Sequence, residues 1–362
     1  MSKLKPLMIG DLRVEVPIIQ GGMGVKVSMA PLVAAVANCG GAGTIASVGL
    51  AYGIPENESD YLHASREALR NEISKARELS SGIIGVNIMV ALTNYQELVQ
   101  VAMEEKADFI ISGAGLPIKL PKFTEKSPIK LIPIVSSAKA AKIIIKAWSN
   151  RYQRFPDAII VEGPQAGGHL GFKFEDLNEN SGNSLENIVS DVLKIVGVYE
   201  KDSNISIPVI AAGGIFDGKD IAKFIKLGAK GVQMGTRFVA TDECSVADEF
   251  KQLYLKAQAD DVVVIKSPVG LPGRAIRTAF IERIMRGEKD YFNCVYKCLI
   301  TCDPATAPYC IAKALCNASI GDLDNAVVFA GSNVTKVKKI LPVKQLIDEL
   351  FDEAAKEMGT SY

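Results

Sequence analysis

Histidine and tryptophan are nearly missing from this 362-residue chain. It has two histidines, His63 and His169, and one tryptophan. Two imidazoles exclude a metal site built on several histidines. They leave only two side chains whose ordinary pKa lies near neutrality. An excess of either charge is missing too: Lys and Arg total 41, and Asp and Glu total 41. That balance argues against a dedicated nucleic-acid binder, which carries a basic excess. No run reaches the ~18 consecutive apolar residues of a membrane-spanning helix. The opening MSKLKPLMIGDLRVEVPII lacks the apolar core of a signal peptide. The expectation is a soluble, cytoplasmic chain with neither membrane nor nucleic acid among its partners.

The seven cysteines are an odd number, which reads as free thiols and not as a disulfide framework. Five of them, Cys294, Cys298, Cys302, Cys310 and Cys316, are spaced C-x3-C-x3-C-x7-C-x5-C. Zinc sites use C-x2-4-C pairs and iron–sulfur sites related runs, so the spacing alone does not decide against a metal. Cys294, Cys298 and Cys302 would instead share one face of a helix, as buried small residues. No metal site is assigned.

Glycine is abundant, at 31 residues, and its placement carries the argument. Eight short apolar segments read as strands: Val16–Gln20, Ala42–Ser47, Ile84–Met89, Asp108–Ser112, Leu131–Val135, Ala158–Glu162, Pro208–Ala212 and Gly231–Gly235. Most are continuous apolar runs, as in strands buried on both faces of a parallel sheet. Between them lie helical stretches: Ser28–Asn38 with Ser28 as its cap, His63–Leu79, Asn94–Glu105, Ala138–Arg151, Leu185–Tyr199 and Gly218–Leu227. The last is capped by Asp217 and stopped by Gly228. Eight strands alternating with helices predict an α/β fold, a (β/α)8 TIM barrel. Residues 172–183 (FKFEDLNENSGN) lack periodicity and read as a long loop after the sixth strand. The expected organisation is a barrel over 1–240 and a mostly helical C-terminal extension over 241–362, Cys-rich at 294–316. Its final helix covers Val343–Met358.

In such barrels the chemistry sits where strands end. The seventh strand runs into Gly213-Gly214, and the eighth into Gln233-Met234-Gly235-Thr236. Glycine lets backbone N–H groups approach a phosphate without a side-chain clash. These two loops are where barrels bind phosphate, so a phosphate-bearing ligand is expected there. The sixth strand ends in Gln165-Ala166-Gly167-Gly168-His169. His63 opens a charged helix and is given no role. His169 lies in a glycine-rich loop, where an imidazole suits acid–base work and the glycines let a planar ring lie against the backbone.

The blocks PIIQGGMG, GVNIM, SGAGLP, EGPQAGGHLGF, IPVIAAGGIFDG and GVQMGTRF, over residues 6 to 240, together resemble the nitronate monooxygenase family, formerly called 2-nitropropane dioxygenases. The resemblance implies a nucleotide-binding flavoprotein with FMN, its phosphate at Gly213, Gly214 and the Gln233, Met234, Gly235, Thr236 loop. It implies His169 as catalytic base. It places Gly22, Met23 and Gly24 against the flavin ring or ribityl chain, and Asn87 and Gln165, Ala166, Gly167 and Gly168 close to the ring. Its implied activity is oxidation of alkyl nitronates with O2 to a carbonyl compound and nitrite. The same superfamily holds flavin-dependent enoyl-acyl-carrier-protein reductases, which share the QGGM, GVNIM, AGGH and AAGG blocks. The alternative is therefore NAD(P)H-dependent reduction of an enoyl thioester. A homodimer is compatible with either. A barrel kept as a scaffold or sensor, with the Cys-rich tail as its redox part, is the non-enzymatic reading.

Overall fold

The structure, a computed structural model, describes residues 4–53, 60–177 and 182–359. The chain opens with an antiparallel hairpin, β1 (Leu7–Ile9) and β2 (Leu12–Val14). Eight parallel strands then close into a barrel: β3 (Ile18–Gln20), β4 (Ala42–Ala46), β5 (Ile83–Met89), β6 (Phe109–Gly113), β7 (Lys130–Val135), β8 (Ile159–Glu162), β10 (Val209–Ala212) and β11 (Gly231–Met234). The last pairs back onto β3. β9 is a two-residue strand, Gly168–His169, outside the barrel path. The eight strands expected from apolar runs are these eight barrel strands, with bounds shifted by one or two residues.

The sequence pattern explains the closure. Ile19, Phe109, Ile111, Ile132, Ile160 and Ile210 point inward and form a buried cluster with Leu7, Ile9 and Val14 of the hairpin. The hairpin therefore plugs the N-terminal end of the barrel. Alternate residues on the same strands point outward, toward the helices. Each fully buried Ile, Leu or Phe contributes about 1.5–3 kcal/mol of transfer free energy, which fixes both faces of every strand.

The barrel helices are α1 (Ala30–Asn38), α2 (Tyr61–Leu79), α3 (Tyr95–Glu104), α4 (Leu120–Phe123), α5 (Ala138–Tyr152), α6 (Leu185–Ser203), α7 (Gly218–Leu227) and α8 (Thr236–Val239). Asp217 caps α7 by accepting from Asp220 N at 3.0 Å, and Gly228 ends it at φ +121°. Ser28 is not the cap of α1. Met29 holds that position, and the Ser28 hydroxyl is drawn into the barrel instead. There it accepts from Gln20 Nε2 at 2.8 Å and from Met23 N at 2.9 Å. The buried glutamine takes the hydroxyl as its partner, and the start of α1 is served by Glu72, which accepts from Ala30 N at 2.9 Å.

The region after α8 departs most from expectation. Residues 241–290, expected to be mostly helical with a break at 267–276, hold α9 (Asp248–Lys256) but also an antiparallel ribbon, β12 (Val262–Lys266) and β13 (Pro272–Ile276), before α10 (Ala279–Met285); the ribbon's turn and β13 fall in the expected break. The run Val262-Val263-Val264-Ile265 is β-branched and favours strand. The turn between the strands includes Gly270 at φ +87°. Cys294, Cys298 and Cys302 do not share a helix face, because residues 286–310 form no helix. Helix resumes at α11 (Ile311–Ser319), followed by β14 (Val328–Phe329) and α12 (Val343–Glu357). α12 lies on α7, where Glu353 accepts from Gly218 N at 2.7 Å. Of the 172–183 loop, Phe174–Leu177 forms a 3-10 turn and residues 178–181 lie outside the described residues.

Candidate active site

A cavity of about 280 Å³ opens at the C-terminal ends of the barrel strands. Gly22, Met23 and Gly24 line it from the end of β3, and Asn87 from β5. Ala166, Gly167, Gly168 and His169 line it from beyond β8. Gly213 and Gly214 come from beyond β10, and Gln233, Met234, Gly235 and Thr236 from the end of β11. Of the residues expected at the flavin site, Gln165 lies off the cavity wall, as does His63, to which no role was given. Gln165 is exposed, and its carbonyl accepts from Ser332 N at 3.1 Å. His63 is exposed on the first turn of α2.

The glycine turn after β10 needs glycine. Gly213 and Gly214 sit at φ +92° and +84°, a region that L side chains rarely adopt. The extension closes over this turn. Asn333 Nδ2 donates to Gly214 O at 2.5 Å, and Gly331 N donates to Thr236 Oγ1 at 3.0 Å. The approach is tight: a Cβ on Gly167 would fall 2.5 Å from Ala330 C and Gly331 N. Residues 330–333 thus form a strap across the two loops expected to hold phosphate.

His169 owes its position to the ribbon. β9 pairs antiparallel with β13, in the register Gly273↔His169 and Arg274↔Gly168. Leu170 N donates to Pro272 O at 2.8 Å and extends the pairing. The imidazole Nε2 lies 2.7 Å from the hydroxyl of Ser267, in the turn of the ribbon. The ring of Phe329 meets it edge-on, with centroids 4.9 Å apart. From below, the buried guanidinium of Arg274 donates to the carbonyls of Pro164 and Ala166 and braces the loop. Enclosure by protein favours the uncharged ring, so burial pushes the His169 pKa down to about 4. The imidazole is neutral at neutral pH.

Three polar side chains form the cavity floor: Asn87, Glu162 and Gln233. Glu162 and Gln233 stand in register with Ala212 on the strand between them, so both face the barrel interior. The carboxyl of Glu162 makes no hydrogen bond or ion pair with the described residues, and burial alone raises its pKa to about 7. Gln233 Oε1 is buried without a partner. Buried polar atoms without partners are costly in a dry core and mark places where a ligand completes the network. An orphaned amide on the floor and a left-handed glycine turn at the rim fit a ligand with a flat polar heterocycle and a phosphate.

The sequence reading missed Glu162, Ser267, Arg274, Phe329 and the 330–333 strap. Glu162 was visible as a carboxylate at the end of an otherwise apolar strand. The others became part of the site only through pairing over about a hundred residues or more.

The fold is a (β/α)8 barrel, and its family makes it an oxidoreductase that uses a flavin. The chain belongs to the nitronate monooxygenase family, whose sequence model matches residues 5–98 and 90–353. It is 31% identical over 315 residues to a probable nitronate monooxygenase of Staphylococcus aureus (strain MSSA476), covering 77% of this chain and 80% of that protein. It is also 31% identical over 276 residues to a Mycobacterium tuberculosis protein named (3aS,4S,5R,7aS)-5-hydroxy-7a-methyl-1-oxo-octahydro-1H-indene-4-carboxyl-CoA dehydrogenase. That match covers 76% of this chain and 67% of the relative. The structure of FabK from Thermotoga maritima, 31% identical, superposes with a TM-score of 0.73 over 96% of this chain and 94% of that one.

Proposed function

We propose that the chain binds FMN and oxidises alkyl nitronates with O2 to a carbonyl compound and nitrite. The observation that carries this reading is a neutral imidazole fixed on the cavity wall beside a glycine-lined cradle. His169 is held by Ser267 at 2.7 Å and kept uncharged by burial. A neutral imidazole can take the α-proton of a nitroalkane or hydrogen-bond the nitronate oxygens. The Gly213–Gly214 turn and Gly235-Thr236 would hold the phosphate, and Asn87 and Gln233 would meet the polar edge of the ring. The flavin supplies electron transfer between the substrate and O2. The protein's part is to orient both and to exclude water, through Phe329, Met23 and the strap.

A second reading, NAD(P)H-dependent reduction of an enoyl thioester, is favoured by one observation. Burial raises the carboxyl of Glu162 to about 7, so a large share of it is protonated near neutrality, and an acid is needed to protonate the carbon next to the thioester. The likeness to a carboxyl-CoA dehydrogenase supports a thioester as substrate, and the likeness to FabK supports the reductive direction. In both readings the enzyme is cytoplasmic. All seven thiols are free, and no helix of the described residues is long and apolar enough to cross a membrane.

The test is direct. Purified protein should carry FMN, released by heat and identified by mass. It should consume O2 with propionate-3-nitronate and form nitrite. NADH oxidation that depends on crotonyl-CoA, with no nitronate-dependent O2 uptake, would replace the first reading with the second.

A further inference from the structure

Glu162 takes no part in the step assigned to His169, yet it lies on the cavity floor. Its neighbours bring no charge to it. Of the two strands beside it, β10 carries none, and β7 carries only Lys130, at the opposite end of the barrel and paired with Asp11. Behind β8, the first turn of α6 presents Glu186, which pairs with Lys223. The other titratable groups lining the cavity are His169, Tyr254 and Cys298. Burial raises Tyr254 far above neutrality and Cys298 to about 12, so both stay uncharged, as does His169 above about pH 4. Arg274 lies behind the 164–166 loop with its guanidinium turned to that loop's carbonyls. Glu162 is therefore the group whose ionisation changes the charge of the cavity near neutral pH.

We infer that Glu162 sets which charge of ligand the cavity accepts: as a neutral carboxylic acid it donates a hydrogen bond to a planar anion such as an alkyl nitronate, and once ionised it repels that anion. The geometry supports this in three ways. The carboxyl faces the space where a ligand must lie. It has no protein partner to take up its proton or satisfy its oxygens. No Lys or Arg lines the cavity to offset its charge, so an ionised carboxylate there repels an anion more strongly than it would in open water. The inference deepens the nitronate reading, since it rests on the cavity being an anion site. It makes Glu162 a specificity-determining residue and not a second base.

The experiment uses FMN-loaded protein and sodium nitrate, a planar monoanion that shares the O–N–O edge of a nitronate. Binding is read from the shift in the visible flavin spectrum between pH 5.5 and 9. The apparent Kd should be flat up to the carboxyl's pKa and then rise about tenfold per pH unit, as the competent form is depleted. In Glu162→Gln it should stay flat across the whole range. Difference infrared spectra of the wild-type protein provide a readout that needs no variant. A protonated-carboxyl C=O band should vanish through pH ~7. Nitrate binding that is independent of pH, or the same pH course in E162Q, overturns the inference. If nitrate follows the expected course while alkyl nitronates are not turned over, the inference stands and the nitronate reading fails. If nitronates are turned over and nitrate binding ignores pH, the reverse holds.

Discussion

Arg274 donates a hydrogen bond of 2.7 Å to the carbonyl oxygen of Ala166, 108 residues earlier in the chain. The guanidinium is buried and has no carboxylate partner among its hydrogen bonds. Its whole role is to satisfy two loop carbonyls and carry the loop on the β12–β13 ribbon. Arg274→Met should leave those carbonyls unpaired and cost about 2–4 kcal/mol. Urea unfolding measures the loss, and flavin affinity should fall with it. Arg274→Lys should recover little, since an ammonium cannot reproduce the planar fork. Unchanged stability in R274M would remove the brace from this account.

The strap makes a separate prediction. Asn333→Ala removes the donor to Gly214 O without touching the cavity floor. A neutral hydrogen bond contributes about 0.5–1.5 kcal/mol net, so the flavin Kd should rise about two- to tenfold. Fluorescence titration of flavin-free protein reads this. An unchanged Kd would mean that the strap covers the cradle without shaping it.

Ser267 fixes the imidazole. Ser267→Ala deletes the 2.7 Å contact and lets the ring turn. Turnover should drop about tenfold, which corresponds to about 1.4 kcal/mol. Flavin content should stay at the wild-type level. His169→Gln should cost more, about 10²–10⁴-fold. If S267A and H169Q lose activity equally, Ser267 does more than orient.

His169 and Glu162 tilt stability in opposite directions with pH. Burial lowers His169 from 6.5 to about 4. Between those values the unfolded chain binds more protons, so stability falls on acidification. Burial raises Glu162 from 4.5 to about 7. Between those values the folded chain binds more protons, so stability falls as pH rises. The two slopes oppose each other between pH 4.5 and 6.5 and largely cancel. Removing one group unmasks the other, by up to about 1.4 kcal/mol per pH unit. In flavin-free protein, E162Q should lose stability on acidification through that window and H169Q should gain it. Parallel urea midpoints for wild type and both variants would contradict the burial of this pair.

The barrel was legible because its signal is local. A run such as Ile159-Ile160-Val161 reads as a strand buried on both faces without any knowledge of its neighbours. The glycine-bearing strand ends were legible for the same reason: chain order alone brings Gly213 and Thr236 to the same end of the barrel. Ser267 was not legible. Its contact with His169 spans 98 residues and depends on a ribbon whose β-branched run was read as helix. The 330–333 strap contributes mostly backbone groups and a common asparagine, which leave no mark in composition. Glu162 needed a different question. Its type and position were plain, but its lack of a partner is a three-dimensional fact.

β9 is only two residues long, and successive residues of a strand face opposite sides. A slip of one residue against Gly273 and Arg274 would turn the imidazole outward and present a glycine to the cavity. The aim of His169 is therefore stored in the ribbon and not in the AGGH letters that announce it. Grafting that loop onto another barrel would transfer the letters and lose the aim. Moving the function requires loop and ribbon to travel together, as one inherited part made of two distant stretches of chain.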